Sequence, residues 1–202
     1  MAVTNQKRLK ASGTMDYEEM MKIIKYLLDA SWGSKWGSFT PDGPNVNDPK
    51  DINYPIILHY LSVMEPGTIG KDTKEIKPRF RSAYTNEDVN GNMPPVMKVY
   101  GQVFDAQIVF EVWEETNAQV EKLAKQFRQT LAAFTGYLIE KGLLGIKFLR
   151  METDLTSGTI RDSYKIRRLY YAVRFEELSE VPVDIFRAFE VVDNRLHKEL
   201  GE

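Results

Sequence analysis

The chain has 202 residues, no cysteine and two histidines, and its 27 Lys plus Arg stand against 29 Asp plus Glu for a formal net charge of −2. Disulfides, thiolate nucleophiles, iron–sulfur clusters and metal centres built from cysteines or several histidines are excluded. A near-balanced chain also offers no global attraction for nucleic acid. An apolar share of 43% is ample for a core, and no apolar run approaches the roughly 18 residues of a membrane span. A soluble protein made in a reducing compartment is therefore expected.

Residues 1–13 (MAVTNQKRLKASG) read as a flexible polar tail with basic residues but none of the apolar stretch of a secretory signal. Residues 14–202 read as one domain. Asp16 with Glu19 forms a capping box, and Met20, Ile23, Ile24, Leu27 and Leu28 fall on one helical face, with Gly33 as the stop. The loop 31–39 (SWGSKWGSF) then repeats Trp-Gly-Ser. Trp32 and Trp36 have two readings there: anchors of a protein interface, where Trp is enriched, or a lid over the domain's own core. Thr40–Asp51 is turn chemistry; it lacks the acidic spacing and closing Glu of a calcium loop.

Tyr54–Met64 is a strand, with Pro55 at its start and His59 inside as a packed or surface histidine. Residues 65–95 carry little apolar patterning and read as a long loop or arm, the kind of connection that carries function or moves. Within it, 77–84 (KPRFRSAY) is a short strand and Asn90-Gly91 a turn signal. Arg79, Phe80 and Arg81 are the arm's candidate contact residues, alongside the two tryptophans.

The stretch 99–178 organises the rest. Val103–Trp113 alternates with period two, placing Phe104, Ala106, Ile108, Phe110 and Val112 on one face. Thr116–Lys141 changes to helical spacing, with Val120, Leu123, Ala124, Phe127, Leu131, Phe134 and Leu138 as the apolar stripe. Thr116 and Gln119 supply its cap, Glu121 and Lys125 an i,i+4 pair, and Gly142 its end. Ile146–Thr153 and Ile166–Glu177 return to strand, joined by a glycine-containing hairpin loop at 155–163. In the last strand Leu169, Tyr171, Val173 and Phe175 oppose Arg168, Tyr170, Ala172, Arg174 and Glu176. Asp184 caps a terminal helix carrying Ile185, Ala188, Phe189, Val192 and Leu196. The expected fold is α+β: an antiparallel or mixed sheet packed by one long helix, with additional N- and C-terminal helices.

No phosphate loop, G-x-S-x-G elbow or H-E-x-x-H motif is present. Glu114–Glu115 and Glu176–Glu177 are strand neighbours that point to opposite faces. Enzymatic function is disfavoured, and no cofactor or metal is expected. Arg168, Tyr170 and Arg174 form a basic-aromatic row that keeps a nucleic-acid-binding α+β module as an alternative, although the RNA-binding signature is missing.

Residues 100–142, 146–154 and 164–178, within a span of about 80 of the 202, together resemble the core of phage tail terminator (tail-completion) proteins. The similar features are a strand ending in acidic residues, one long helix opened by a Thr/Asn cap, and a hairpin whose last strand carries Arg167, Leu169, Tyr171, Val173 and Phe175. The resemblance implies a homo-oligomeric ring, a hexamer, that caps the tail tube, halts its growth and docks to the head-side connector. Its partners would be copies of itself, the tail-tube protein and the head–tail connector protein, with DNA only as passing cargo. Its place would be the virion tail or neck, after synthesis in the host cytoplasm. The family has no catalytic motif to carry over. The long 65–95 segment and the helix after Pro182 depart from a minimal member, which leaves another neck or head-completion protein as the alternative.

Overall fold

A computed structural model of the chain describes residues 14–43, 54–69, 73–85, 96–153 and 165–182. In chain order these form α1 (Tyr17–Trp32), β1 (Ser38–Thr40), β2 (Ile56–Pro66), β3 (Thr68–Ile69), β4 (Thr73–Lys74), β5 (Arg79–Thr85), β6 (Val96–Glu114), α2 (Asn117–Glu140), β7 (Gly145–Thr153) and β8 (Lys165–Pro182). The long strand β6 is the spine. One of its edges runs antiparallel to β8 from Met97 to Glu114; the other takes β5 along Val96–Gly101 and β2 along Phe104–Trp113. β7 continues the sheet beyond β8, and β1 lies parallel to β2. The result is an α+β fold with a mixed sheet of six strands, while β3 and β4 make a separate short ribbon.

The alternation of β6 decides which face is buried. Phe104, Ala106, Ile108 and Phe110 stand opposite Phe175, Val173, Tyr171 and Leu169, and Ile108 is also paired with Leu61 of β2. Two helices lie against this face. α1 buries Met20, Met21, Ile24, Leu27 and Leu28, and α2 buries Val120, Leu123, Ala124, Phe127, Leu131 and Leu138 into the same cluster; Phe134 packs at its margin. Phe127 meets Phe110 edge-on at 4.9 Å, and Phe110 meets Tyr171 at 5.6 Å. α1 and α2 thus share the layer over this face. A helix ~10–12 Å across does not cover six strands spaced ~4.8 Å apart.

The helix ends follow their capping residues. Asp16 Oδ1 accepts the Glu19 N–H at 2.8 Å, and Thr116 Oγ1 accepts that of Gln119 at 3.3 Å. Gly33 terminates α1 with φ 86°, a backbone region that glycine enters without a Cβ clash. Three local expectations change. β6 begins at Val96 rather than Val103, and β8 runs to Pro182 rather than Glu177. Backbone pairing extends both strands through residues such as Lys98, Gln102 and Ser179, where the apolar alternation fades. Glu121 reaches Arg167 at 2.6 Å in place of Lys125, because Arg167 is buried and needs a carboxylate. The expected tail at 1–13, most of the expected loop Thr40–Asp51, and the expected Asn90-Gly91 turn, 155–163 loop and helix after Asp184 lie outside the described residues.

His59 is buried on β2, with Nδ1 at 2.8 Å from the Tyr17 hydroxyl and its ring stacked on Phe39 at 4.5 Å. Burial lowers its pKa to about 4, against about 6.5 in an unfolded chain. The neutral ring therefore contributes stability that is complete above pH ~6.5 and is lost as pH falls from there toward the folded value. His59→Gln is expected to flatten this slope, read as the urea midpoint measured from pH 7 down to pH 4. Phe127→Ala should lower unfolding free energy by about 3–5 kcal/mol, whereas Tyr26→Ala, at a side chain 67% exposed, should stay within about 0.5 kcal/mol; urea titration compares the two.

Candidate interface at the strand switch point

The edge of β6 changes partner between Gly101, the last residue paired with β5, and Phe104, the last paired with β2. Val103 falls in this gap: it stands opposite Glu176 of β8, but on this edge neither β5 nor β2 reaches it. The segment around β3 and β4 supplies its backbone partners there instead. Gly67 N–H donates to the Val103 carbonyl at 2.7 Å, and the Val103 N–H donates to the Glu75 carboxylate at 2.7 Å. Gln102 Nε2 donates to the Glu75 carbonyl at 2.8 Å, and the Glu75 N–H to the Gly67 carbonyl at 2.8 Å.

Glu75 is 1% exposed, and a carboxylate so buried requires compensation. It comes from Arg81 Nη2 at 3.2 Å and Arg79 Nε at 3.3 Å. Arg81 also donates through Nε to Glu176 of β8 at 2.5 Å, the main cause of a pKa raised above the ordinary arginine value. A bulge in β5 at Arg81 aims this side chain across the sheet. Gly101 lies beneath it, where a Cβ would run into both the guanidinium and the Glu176 carboxylate. Farther out, the Tyr84 hydroxyl donates to Glu180 of β8 at 2.9 Å. β5, the first half of β6 and the second half of β8 thus form a three-stranded arm tied by side chains across its width.

The structure brings Arg79 and Arg81 together on one carboxylate and turns Phe80 to the other face. There Phe80 is 56% exposed and edge-on to Tyr100 at 6.1 Å. Trp32 and Trp36 pack on each other at 5.0 Å and against the main core, with Trp36 Nε1 donating to Asp29 at 3.0 Å. Their geometry is that of a lid closing the end of α1.

The sheet face away from the helices carries the basic-aromatic row, and its cations are matched. Arg174 makes a fork to Asp105 at 2.6 and 2.8 Å, holding that carboxyl below its ordinary pKa. Arg168 reaches Glu111 at 2.7 Å, and Glu111 also accepts from Tyr60 at 3.1 Å and Trp113 at 3.2 Å. Arg150 lies 4.1 Å over the Tyr170 ring and pairs with Glu152 at 2.6 Å. A nucleic-acid phosphate would have to displace a carboxylate from each of these arginines.

Among the described residues no group of three or more His, Asp or Glu is placed to hold a metal. A groove of about 670 Å³ between α2 and β7 is lined by Glu121, Lys122, Lys125, Arg128, Phe148 and Met151. Sequence reasoning found the arginines of the switch point but missed Glu75. Its acceptor role depends on Val103, which is 28 residues away, and no local pattern announces it. No protein-family model and no curated protein matches this chain.

Glu75→Ala would leave the Val103 N–H without an acceptor and two guanidiniums without their shared anion. The expected loss is about 2–4 kcal/mol of unfolding free energy, against a change within about 0.5 kcal/mol for Phe80→Ala in the monomer, both measured by urea titration.

Proposed function

We propose that this protein is a structural subunit of a phage virion, a tail terminator that assembles into a ring, caps the tail tube and docks to the head-side connector. The reading rests on the resemblance of β6, α2 and the β7–β8 hairpin to the core of that family. One observation carries it further: the sheet has unlike open edges. Among the described residues β7 has no partner on its outer side, β8 is uncovered beyond Arg174, and β2 is covered by β1 only over Ile56–Leu58. Edges that differ from one another suit head-to-tail contacts, which close into a ring when the rotation between copies is right.

In this reading α2 is the main cover of the sheet, a further helix follows Asp184, and the arm reaches a neighbouring molecule. Phe80 is its exposed contact, with Arg79 and Arg81 holding the strand in place beneath it. Trp32 and Trp36 brace the end of α1 where a partner would touch. The partners are copies of this chain, the tail-tube protein and the head–tail connector, and DNA passes through as cargo.

Light scattering and negative-stain microscopy test the proposal, on the protein alone and mixed with purified tail tubes. The expected result is a ring near six times the 23.3 kDa chain mass, seated on tube ends. A single-chain mass at every concentration, with bare tube ends in the mixture, would overturn it.

A further inference from the structure

At the far end of the sheet, Leu149 and Met151 of β7 and Leu144 just before it are 42%, 43% and 46% exposed. Beside them runs the groove under α2, with Phe148 and Met151 as its apolar floor and Lys122, Lys125 and Arg128 in its wall. The acid of that wall is already engaged: Glu121 is bound to Arg167 at 2.6 Å. Arg128 is laid over the Phe148 ring at 5.4 Å. Lys122 and Lys125 have no carboxylate partner among the described residues, nor does exposed Lys147 on the other face of β7. This edge therefore combines apolar surface with unmatched positive charge.

The complementary surface belongs to the same chain. β7 covers β8 only as far as Arg174, so Phe175–Pro182 (FEELSEVP) keeps an open outer edge among the described residues and carries three glutamates. Glu176 is held by Arg81, and among the described residues Glu180 accepts from the neutral Tyr84 hydroxyl and has no ion pair. Glu177 is exposed, has no ion pair among the described residues, and has a raised carboxyl pKa from partial burial and the charge of Asp16. Alternation from Phe175 puts Glu177 and Val181 on the helix side of the sheet, the side of the groove. Within one chain the register sets Phe148 opposite Tyr171, six residues short of Glu177, so the acidic segment lies along β8 from its own groove and meets a groove in a different copy.

We infer that the contact between copies is made by Phe175–Pro182 of one chain docking along β7 of the next, with Glu177 against Lys122 and Lys125 and Val181 toward Phe148 and Met151. The occupant of the α2–β7 groove is thus a second copy of this chain. The inference rests on the ring reading above and specifies its interface.

Charge reversal tests it. The Lys122→Glu/Lys125→Glu variant and the Glu177→Lys variant are each expected to fold with the wild-type circular dichroism spectrum. Each alone should raise the apparent dissociation constant for assembly at least tenfold, by like-charge apposition. Mixed in equal amounts they should assemble again, because every contact in an alternating ring then joins opposite charges. Assembly of either variant alone at wild-type concentration overturns this interface and leaves the ring standing; so does failure of the mixture to recover. A wild-type protein that never assembles, even on tail tubes, instead removes the ring reading itself.

Discussion

One buried carboxylate allows a single strand to serve two partners on the same edge. Between β5 and β2 the edge of β6 has a gap at Val103, and a backbone N–H left bare inside a protein costs about as much as a lost hydrogen bond. Glu75 closes the gap with a side chain in place of a strand. Its charge then requires Arg79 and Arg81, and Arg81 requires Glu176. From that chain of requirements follow the bulge in β5 and the glycine at 101 that leaves room for the ion pair. The arm is held at the angle these contacts impose.

The distribution of charge separates structural from available groups. On the face away from the helices, arginines alternate with carboxylates in forks and ladders, so the row neutralises itself. The α2–β7 edge and the end of β8 differ: among the described residues Lys122 and Lys125 stand without carboxylates on one, and Glu177 and Glu180 without cations on the other. Surface ion pairs add little to monomer stability. Unmatched charges of opposite sign on separate open edges are better explained by what they do between molecules, where complementarity sets partner choice and register.

The fold was legible where local periodicity and burial coincide. Period two in Phe104–Val112 and helical spacing in Val120–Leu138 locate β6 and α2, because one face of each meets the core. Asp16, Gly33 and Thr116 mark helix ends through short-range hydrogen bonds that a sequence displays directly. The outer halves of β6 and β8 were less legible. There backbone pairing, which has no side-chain signature, extends the strands past the end of the apolar pattern. The candidate contacts divide the same way: the Trp-Gly-Ser repeat showed that Trp32 and Trp36 belong together, and only coordinates show both rings folded onto the core.

The sequence by itself determined the α+β class, the main strands and helices and their caps, because these depend on neighbours within a few residues. The tertiary structure decided that two helices share the sheet, that Glu121 turns to Arg167, and that Glu75 stands in for a strand beside Val103. It also decided which charged residues are left unmatched among the described ones. Each of these depends on groups distant in the chain competing for the same partner, and that competition is resolved only when the chain is folded.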